Sequence, residues 1–420
     1  MVFKQLAAAL ALGSGVSAAA PATVPSSISV YSLPKTQPSS AVAVDTMPVG
    51  PSSVSSNFAQ AIRTRLILIM QTHSFEFFMW PSYMRNITPV RDCLKRFDEL
   101  YEQQMPVRIG GTTQDRATYD PKLEGYVSYT TDDPLVAPMS LTYGPKFFDL
   151  ISEYGAMTTI GLNRALDNKT NTFAASAELY KRAGSYVDSI ELGNEPDLYL
   201  LFWNYPIATP PWNDTQETAS AADWIQTLAN TWEGKLPIVA AGGYAIPFPY
   251  QPNWPNLPYL IDNLNASVKD AVKEYNGHLY AFSNATSNGL KGEMAHSRAV
   301  QDIGVLPIQA ALDDGKPFIL GETGFHGEDF EMDQQFGGAI QIVDKTLHAL
   351  SKGVHRLYYH QGTINQGMHP RYATQSVAEY LTTLIGSFLQ LVVRQPGQHP
   401  LLRRLHGCSC YRWVRPHHRR

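Results

Sequence analysis

Short runs rich in β-branched and aromatic residues alternate with longer stretches of helical spacing along most of this sequence. Eight short runs are predicted as strands, at residues 75–79, 106–110, 157–162, 189–192, 237–241, 278–282, 317–320 and 356–359. The stretches predicted as helices cover residues 91–104, 146–154, 174–186, 219–233, 257–275, 297–312 and 334–352. Such alternation is typical of a parallel sheet with crossover helices, and eight units close into a barrel. The sequence therefore predicts an α/β fold, a (β/α)8 TIM barrel over residues 75–386.

Two glutamates stand directly after predicted strands. Glu195 follows the fourth strand in the motif Glu-Leu-Gly-Asn-Glu-Pro, and Glu322 follows the seventh in Gly-Glu-Thr-Gly. The carboxyl ends of barrel strands meet on one face of the barrel, where barrel enzymes carry their catalytic groups. Two facing carboxylates are what glycoside hydrolysis requires. The pair therefore indicates a glycosidase.

A single glutamate after a strand has simpler explanations, such as a helix cap, a loop ion pair or a solvated side chain. The local sequence favours a functional role in this case. Pro196 fixes its own φ and restricts the residue before it, so the turn that carries Glu195 is stiff. Glu322 lies between two conformationally permissive glycines. Both acids also fall in register with the series of strands.

Four runs resemble glycoside hydrolase family 79, in particular its fungal β-glucuronidase branch. They lie at residues 75–80, 107–112, 191–196 and 321–323, and the resemblance covers residues 28–49 and 75–386. That family contains β-glucuronidases of fungi and bacteria and the heparanases. Acids after strands four and seven are the pattern of its clan A, whose members retain anomeric configuration. The resemblance thus implies a β-glucuronidase-like hydrolase.

The chemistry of a retaining reaction assigns a role to each acid. Glu322 is expected to be the nucleophile and to be ionised at working pH. Glu195 is expected to be the acid/base, with a pKa held up until it has given its proton. Asn194 is expected to hydrogen-bond the sugar 2-hydroxyl, a contact that strengthens in the transition state. The alternative for Asn194 is an ordinary turn residue.

Two further acids are candidates for sugar binding. Glu76 lies inside an apolar run, where an uncompensated carboxylate is costly. It is expected either to pair with a cation such as Arg108 or to bind sugar hydroxyls. Asp115, in the loop after the second strand, is expected to contact the sugar. Its alternatives are a loop cap or a partner for Arg116.

Three tyrosines are candidates for the surroundings of the nucleophile. Tyr280 lies in the sixth predicted strand, and Tyr358 and Tyr359 lie in the eighth. Each is placed to flank Glu322, although a tyrosine in a barrel strand more often packs in the core. The group that binds a uronic carboxylate is left open, because backbone amides serve as well as Lys or Arg.

Composition and motifs narrow the classes of function. The formal net charge of −4 over 420 residues gives no reason to expect nucleic acid or a membrane as partner. No paired-cysteine, His-Glu-x-x-His, Gly-x-Ser-x-Gly or phosphate-loop pattern occurs in the predicted barrel. The expectation is a hydrolase with no metal and no cofactor, acting on glucuronic-acid-containing glycans.

The N-terminus predicts export. Residues 1–20 combine Lys4, an apolar run and small residues, as in a cleavable signal peptide. The mature protein is therefore expected to be secreted, extracellular and glycosylated. Acceptor sequons occur at Asn86, Asn168, Asn213, Asn265 and Asn284. Because the chain has only three cysteines, no disulfide framework is expected.

Two segments do not fit the rest of the chain. Residues 50–74 contain no acidic residue and lack both barrel register and turn chemistry. The hypothesis is a retained intron translated in frame, and the alternative is a genuine surface insertion. Residues 387–420 hold seven Arg and no Asp or Glu. A reading-frame error is the favoured interpretation of this tail, and a basic nucleic-acid- or heparin-binding arm is the alternative.

The family resemblance implies a β-sandwich beside the barrel. Residues 21–49 are predicted to supply its N-terminal strand, and most of the rest is expected to be missing from this sequence. The favoured function is a retaining exo-β-glucuronidase that removes terminal glucuronic acid from polysaccharide or proteoglycan side chains. One alternative is a heparanase-like endo-β-glucuronidase or another clan-A enzyme such as a β-xylosidase. The other is an inactive, truncated or mis-spliced product.

Overall fold

The computed structural model of the chain contains eleven strands in its described part, which comprises residues 72–86, 88–101, 103–131, 136–246, 251–280, 289–324 and 336–362. In chain order they are β1 (His73–Glu76), β2 (Val107–Gly110), β3 (Ala117–Tyr119), β4 (Val127–Tyr129), β5 (Leu141–Tyr143), β6 (Thr158–Leu162), β7 (Val187–Leu192), β8 (Val239–Tyr244), β9 (Val272–Tyr280), β10 (Phe318–Gly324) and β11 (Val354–Gln361). Strands β1, β2 and β6 to β11 form a closed, all-parallel barrel, in which β11 pairs with β1. The predicted (β/α)8 barrel is confirmed.

Helices follow the barrel strands and surround them. They are α1 (Trp80–Arg85), α2 (Thr88–Tyr101), α3 (Lys146–Tyr154), α4 (Lys169–Ala183), α5 (Asp214–Thr231), α6 (Leu257–Asn263), α7 (Ala266–Ala271), α8 (Gly289–Ile303), α9 (Val305–Asp313) and α10 (Phe336–Ser351). Local sequence sets several of these ends. Helix α5, for example, begins with a capping box, in which Asn213 and Gln216 satisfy each other's backbone N–H groups.

Two of the predicted strands are displaced. Strand β1 covers His73–Glu76, and Phe77–Met79 form a 3-10 turn that leads into α1. Proline in the first turn of α1 favours the helical φ there, so the chain leaves the strand at Glu76. Strand β9 begins at Val272, and the predicted helix 257–275 is wrong over its last residues. In that region α7 ends at Ala271, and the chain continues directly into the strand.

A three-stranded sheet that the sequence did not predict lies in the connection after β2. Strand β5 is central, parallel to β3 and antiparallel to β4. This sheet packs on the end of β1 through aromatic side chains: the ring of Phe77 contacts Tyr143, and that of Phe78 contacts Tyr129. The connection after β2 therefore adds a wall to the carboxyl face of the barrel.

The main core lies between the strands and the helices. Its largest fully buried side chains include Trp80, Trp224 and Trp232, and burial of each large apolar side chain contributes about 1.5–3 kcal/mol. The inside of the barrel is polar at one level. Glu274 accepts a hydrogen bond from Ser189 at 2.7 Å, and Lys273 forms an ion pair with Asp188 at 2.6 Å.

Most of the two anomalous segments lies outside the described residues. Residues 50–71 and 387–420 are not described, and neither are the predicted signal peptide and residues 21–49. The end of the proposed insertion does overlap the barrel, because His73 and Ser74 pair with Val107 and Arg108 of β2. Among the described helices, none is long and apolar enough to cross a membrane.

Candidate active site

Glu195 is held on a sharp turn after β7. Its backbone is left-handed, with φ 51° and ψ 55°, a conformation that costs a non-glycine residue about 1–3 kcal/mol. Gly193, two residues earlier, has φ 84°, and a Cβ there would lie 2.1 Å from the Tyr199 hydroxyl. The Glu195 N–H donates to the Gly243 carbonyl at 3.1 Å. The strained turn is thus tied to β8 and fixes the direction of the Glu195 side chain.

Glu322 projects from an irregular part of β10. The pairing of β10 with β9 shifts between Leu320 and Glu322, as in a β-bulge. The N–H of Gly321 donates to the side-chain oxygen of Asn276 at 2.8 Å, inside the barrel. A bulge redirects the side chains that follow it, and here it places Glu322 opposite Glu195.

The two acids are close together. One carboxylate oxygen of Glu195, one of Glu322 and a ring nitrogen of His278 all lie within 4.8 Å of one another. Retaining glycosidases keep their carboxyl groups about 5–5.5 Å apart, whereas inverting enzymes need about 6.5–9.5 Å to admit a water. An oxygen-to-oxygen distance of at most 4.8 Å favours the shorter, retaining arrangement.

The surroundings of Glu322 favour its ionised form. Arg108 Nη1 donates to Oε2 at 3.0 Å, and the Tyr280 hydroxyl donates to Oε1 at 2.8 Å. Burial opposes ionisation, but His360, His278 and Arg108, together with the Tyr280 hydrogen bond, outweigh burial and hold the pKa of Glu322 below its ordinary value. Such a carboxylate can act as a nucleophile at mildly acidic pH.

Glu195 contacts a buried histidine on β9. Nδ1 of His278 lies 3.0 Å from Oε1 of Glu195, and 3.9 Å from Glu322. Burial disfavours the charged imidazole, but the hydrogen bond to Glu195 and the charge of Glu322 raise the pKa of His278 above its ordinary value. His278 is therefore placed to form a hydrogen bond with Glu195 inside the barrel.

The same three side chains have the donor types of a metal site. Both oxygens of Glu322, however, already accept hydrogen bonds from Arg108 and Tyr280. The Arg108 guanidinium also supplies positive charge at 3.0 Å from Glu322. This positive charge beside Glu322 disfavours a second cation at the cluster.

Glu76 lies at the end of β1 and pairs with a partner that the sequence did not suggest. Its Oε2 lies 3.2 Å from Nε2 of His360, and its Oε1 accepts the Thr113 N–H at 2.8 Å. Arg108, which the sequence offered as one possible partner, binds Glu191 and Glu322 instead, and the expected binding of sugar hydroxyls by Glu76 stays a prediction. Nδ1 of His360 lies 3.6 Å from Glu322, so His360 stands between Glu76 and the nucleophile.

Asn194 and Asp115 lie together below the acid pair. The side-chain oxygen of Asn194 accepts from Arg108 Nη2 at 3.0 Å. Asp115 is 1% exposed and accepts hydrogen bonds from the Asn194 N–H and the Tyr199 hydroxyl, at 2.7 and 2.6 Å. Asp115 therefore holds the turn that carries Asn194 and Glu195, and its expected contact with the sugar stays a prediction.

Comparison with known proteins points to one group of glycosidases. The chain is 28% identical over 323 residues to a β-glucuronidase of Aspergillus niger, a match that covers 69% of this chain and 58% of that protein. It is 28% identical over 320 residues to a β-glucuronidase of Neurospora crassa, covering 70% and 57%. The resemblance to the fungal β-glucuronidases is confirmed. The chain spans less than three fifths of the length of either relative.

Solved structures agree with this relationship. A 4-O-α-L-rhamnosyl-β-D-glucuronidase from Fusarium oxysporum, in complex with Rha-GlcA, is 29% identical with a TM-score of 0.66, covering 75% of this chain and 69% of that one. A family 51 α-L-arabinofuranosidase from Bifidobacterium longum is 11% identical with a TM-score of 0.50, covering 76% and 72%, and supports the barrel fold alone. No family model matches the chain.

Two of the three tyrosines lie away from the acids that the glucuronidase resemblance identifies. Tyr358 is fully buried inside the barrel, where its hydroxyl lies 3.1 Å from Thr159 Oγ1. Tyr359 points outward, and its hydroxyl lies 2.6 Å from Thr346 Oγ1 on α10. The next residue, His360, reaches the site in their place. The strand alternates sides at each residue, and the sequence alone does not give its register.

Three of the five sequons lie at helix starts. Asn168, Asn213 and Asn265 are the N-cap residues of α4, α5 and α7, and each side chain accepts a backbone N–H of the first turn. Asn86 follows α1 and is exposed. Asn284 lies outside the described residues. An N-cap uses the side-chain oxygen, so the nitrogen that would carry a glycan is free of that bond.

Four residues at the site were not among the candidates that the sequence suggested. His278, His360, Glu191 and Asn276 all project into the site or directly beneath it. One signal was available, because Glu191 lies inside an apolar strand, as Glu76 does. A charged side chain that is buried in a strand needs a partner, but the sequence does not show which residue that partner is.

Proposed function

We propose that this chain is a retaining glycoside hydrolase that removes glucuronic acid from the non-reducing ends of glycan side chains. The observation that carries the proposal is the spacing of the Glu195 and Glu322 oxygens, within 4.8 Å on the carboxyl face of the barrel. The similarity to fungal β-glucuronidases supports the choice of sugar. We further propose that the protein acts outside the cell, as its N-terminal residues predict.

In the first step Glu322 attacks the anomeric carbon of the glucuronide. The bond from that carbon to the leaving oxygen breaks, and the leaving oxygen takes a proton from Glu195. Arg108 and Tyr280 hold the two Glu322 oxygens by hydrogen bonds, which orient the carboxylate for attack. The product of this step is a glycosyl ester on Glu322, and the released alcohol leaves.

In the second step the roles of the two acids are reversed. Glu322 has lost its negative charge in the ester, so Glu195 ionises more easily and takes a proton from water. The water oxygen attacks the anomeric carbon and displaces Glu322. His278, 3.0 Å from Glu195, is placed to stabilise the carboxylate form of Glu195 during this step. Two displacements at one carbon retain its configuration.

A second candidate substrate is glucuronic acid that carries another sugar at O4. The Fusarium oxysporum enzyme with the TM-score of 0.66 is named for that substrate. An enzyme of this kind releases the substituted glucuronic acid as a disaccharide. The aryl glycosides described next separate this specificity from the unsubstituted one.

The test uses three 4-nitrophenyl glycosides, namely the β-glucuronide, the 4-O-rhamnosyl β-glucuronide and the β-xyloside. A heparan-type oligosaccharide with internal glucuronic acid is the fourth substrate. We expect turnover of one of the two glucuronides in the wild type and none in Glu322→Gln, in which an amide replaces the nucleophile. Turnover of the xyloside or cleavage of the oligosaccharide alone would support the alternative clan-A or endo-acting enzymes. A folded wild-type chain that turns over none of these substrates contradicts the proposal.

A further inference from the structure

We propose that Glu191, a buried residue of β7 outside the acid pair, is a positioning residue that fixes Arg108 and the β10 bulge for Glu322. This inference rests on the proposed function, because it concerns the same site. Glu191 is 1% exposed and lies four residues before Glu195. Its side chain points into the barrel beneath the two acids, and it has no place in the two-step reaction itself.

Glu191 binds Arg108 through two hydrogen bonds. Arg108 Nε donates to Oε2 at 3.0 Å, and Nη2 donates to Oε1 at 2.7 Å. This side-on, two-point contact sets the plane of the guanidinium. The third nitrogen, Nη1, is thereby directed to Glu322 at 3.0 Å and to Ser74 Oγ at 2.9 Å. Among the described residues, Nε has no hydrogen-bond partner other than Glu191, and the remaining partner of Nη2 is Asn194 Oδ1 at 3.0 Å.

Glu191 also reaches the nucleophile by a second route. Asn276 Nδ2 donates to Glu191 Oε2 at 2.7 Å, and the Asn276 oxygen accepts the Gly321 N–H at 2.8 Å. Asn276 is fully buried, so water cannot replace either of these hydrogen bonds. Gly321 is the residue before Glu322, within the bulge of β10. The carboxylate of Glu191 thus orients both the cation beside Glu322 and the backbone that carries it.

The charge of Glu191 matters as well as its shape. The positive charge of Arg108 attracts Glu322, whereas the negative charge of an ionised Glu191 repels it. Glu191 thereby offsets part of the stabilisation that Arg108 gives to the Glu322 carboxylate. If that negative charge is removed, the full positive charge acts on Glu322. A more strongly stabilised carboxylate is a weaker nucleophile, and its ionisation moves to lower pH.

Glu191→Gln is the decisive variant. Glutamine has nearly the same volume but loses the charge, and its amide nitrogen must face a donor on Arg108 or on Asn276. We expect kcat on the aryl glucuronide to fall by about 100-fold, as for a misplaced catalytic group, with KM within about 3-fold of wild type. We also expect the acidic limb of the kcat profile to move to lower pH.

Glu274→Gln is the matched control. Glu274 is another inward-facing, buried glutamate, 2% exposed on β9, and it bonds Ser189 instead of the catalytic residues. A merely structural effect of a buried Glu→Gln change would appear in both variants as a lower melting temperature. Only Glu191→Gln should move the pH profile. Equal pH profiles in wild type and Glu191→Gln would overturn the inference.

Glu191→Asp keeps the test decisive if Glu191→Gln fails to fold. Aspartate retains the charge but is one methylene shorter, so it cannot keep both contacts to Arg108. The inference predicts a reduced kcat with both pH limbs at their wild-type positions. A shifted acidic limb, or an unchanged kcat, in Glu191→Asp would contradict it. Failure of the wild type on every glucuronide would instead refute the proposed function, so the two failures are distinguishable.

Discussion

At the scale of single residues, each of the two proposed catalytic acids has surroundings that suit a different role. Glu322 is in contact with a guanidinium and a phenol hydroxyl, and the net effect of its neighbours is a lowered pKa. Glu195 instead contacts the imidazole of His278 and sits in a strained turn. Two carboxylates whose environments differ in this way are typical of an acid and a nucleophile in one site.

Glu195→Ala separates the two roles by the leaving group. The acid is needed only where the departing oxygen is too basic to leave without a proton. We expect the variant to keep much more of its activity on 2,4-dinitrophenyl β-glucuronide than on an alkyl β-glucuronide. The measurement is kcat/KM on both substrates for both enzymes. Equal losses on the two substrates would contradict the acid role of Glu195.

Asp197 provides a test that depends on stability rather than on turnover. It is 3% exposed and accepts the Ala245 and Ile246 N–H groups at 3.0 and 3.1 Å. Burial raises the pKa of Asp197 to about 7, against 3.8 for an ordinary aspartate. Between these values the folded state holds a proton that the unfolded chain has released, so the contribution of Asp197 to stability falls as pH rises.

Asp197→Asn removes this titration. We expect the free energy of unfolding of the wild type, relative to the variant, to decrease by up to about 1.4 kcal/mol per pH unit between about pH 4 and 7. Urea unfolding of both proteins at pH 5, 6 and 7 measures it. A difference that stays constant over this range, or that increases with pH, would show that Asp197 is not held protonated.

At the scale of secondary structure elements, the positions of the acids depend on where strands end. The order and number of barrel strands, and the presence of acids at the fourth and seventh, followed from hydrophobic runs and turn residues in the sequence, although Glu322 lies within β10 and not after it. The ends of β1 and β9 did not follow from it, because neither the apolar run Phe77–Met79 nor the mixed run Val272–Tyr275 (Val-Lys-Glu-Tyr) contains a turn residue that would separate strand from helix. The pairs that make the site, such as Arg108 with Glu191, join different strands and depend on register.

The bulge in β10 gives a prediction at this scale. A Cβ on Gly321 would lie 2.4 Å from the Asn276 side chain, which is held on its other side by Glu191. We expect Gly321→Ala to cost about 1–3 kcal/mol of stability through overpacking and to lower kcat by displacing Glu322. Urea unfolding and turnover of the aryl glucuronide measure both effects.

Gly125→Ala is the control for this change. Gly125 is exposed, and an added Cβ meets no atom closer than 3.8 Å. We expect it to leave stability and kcat near wild type. If Gly321→Ala behaves like Gly125→Ala, the bulge does not fix the position of Glu322.

At the scale of the whole molecule, the site exists only in the closed barrel. Ser74 Oγ on β1 lies 2.9 Å from His360 Nδ1 on β11, so residues 286 positions apart in sequence meet beside Glu322. Strands β2, β7, β9 and β10 supply Arg108, Glu191, His278 and Glu322. We therefore expect activity and far-ultraviolet circular dichroism to be lost at the same urea concentration. Loss of activity well before unfolding would show that the site opens independently of the barrel.

The configuration of the first product tests the role of Glu322 most directly. If Glu322 forms a covalent ester that water then hydrolyses, two displacements occur at the anomeric carbon. Proton NMR of the anomeric signal in the first minutes of hydrolysis of an aryl β-glucuronide distinguishes the outcomes before the sugar equilibrates. We predict that the β-anomer of the released sugar appears first. Initial release of the α-anomer would mean a single displacement by water, and would contradict the assignment of Glu322 as the nucleophile.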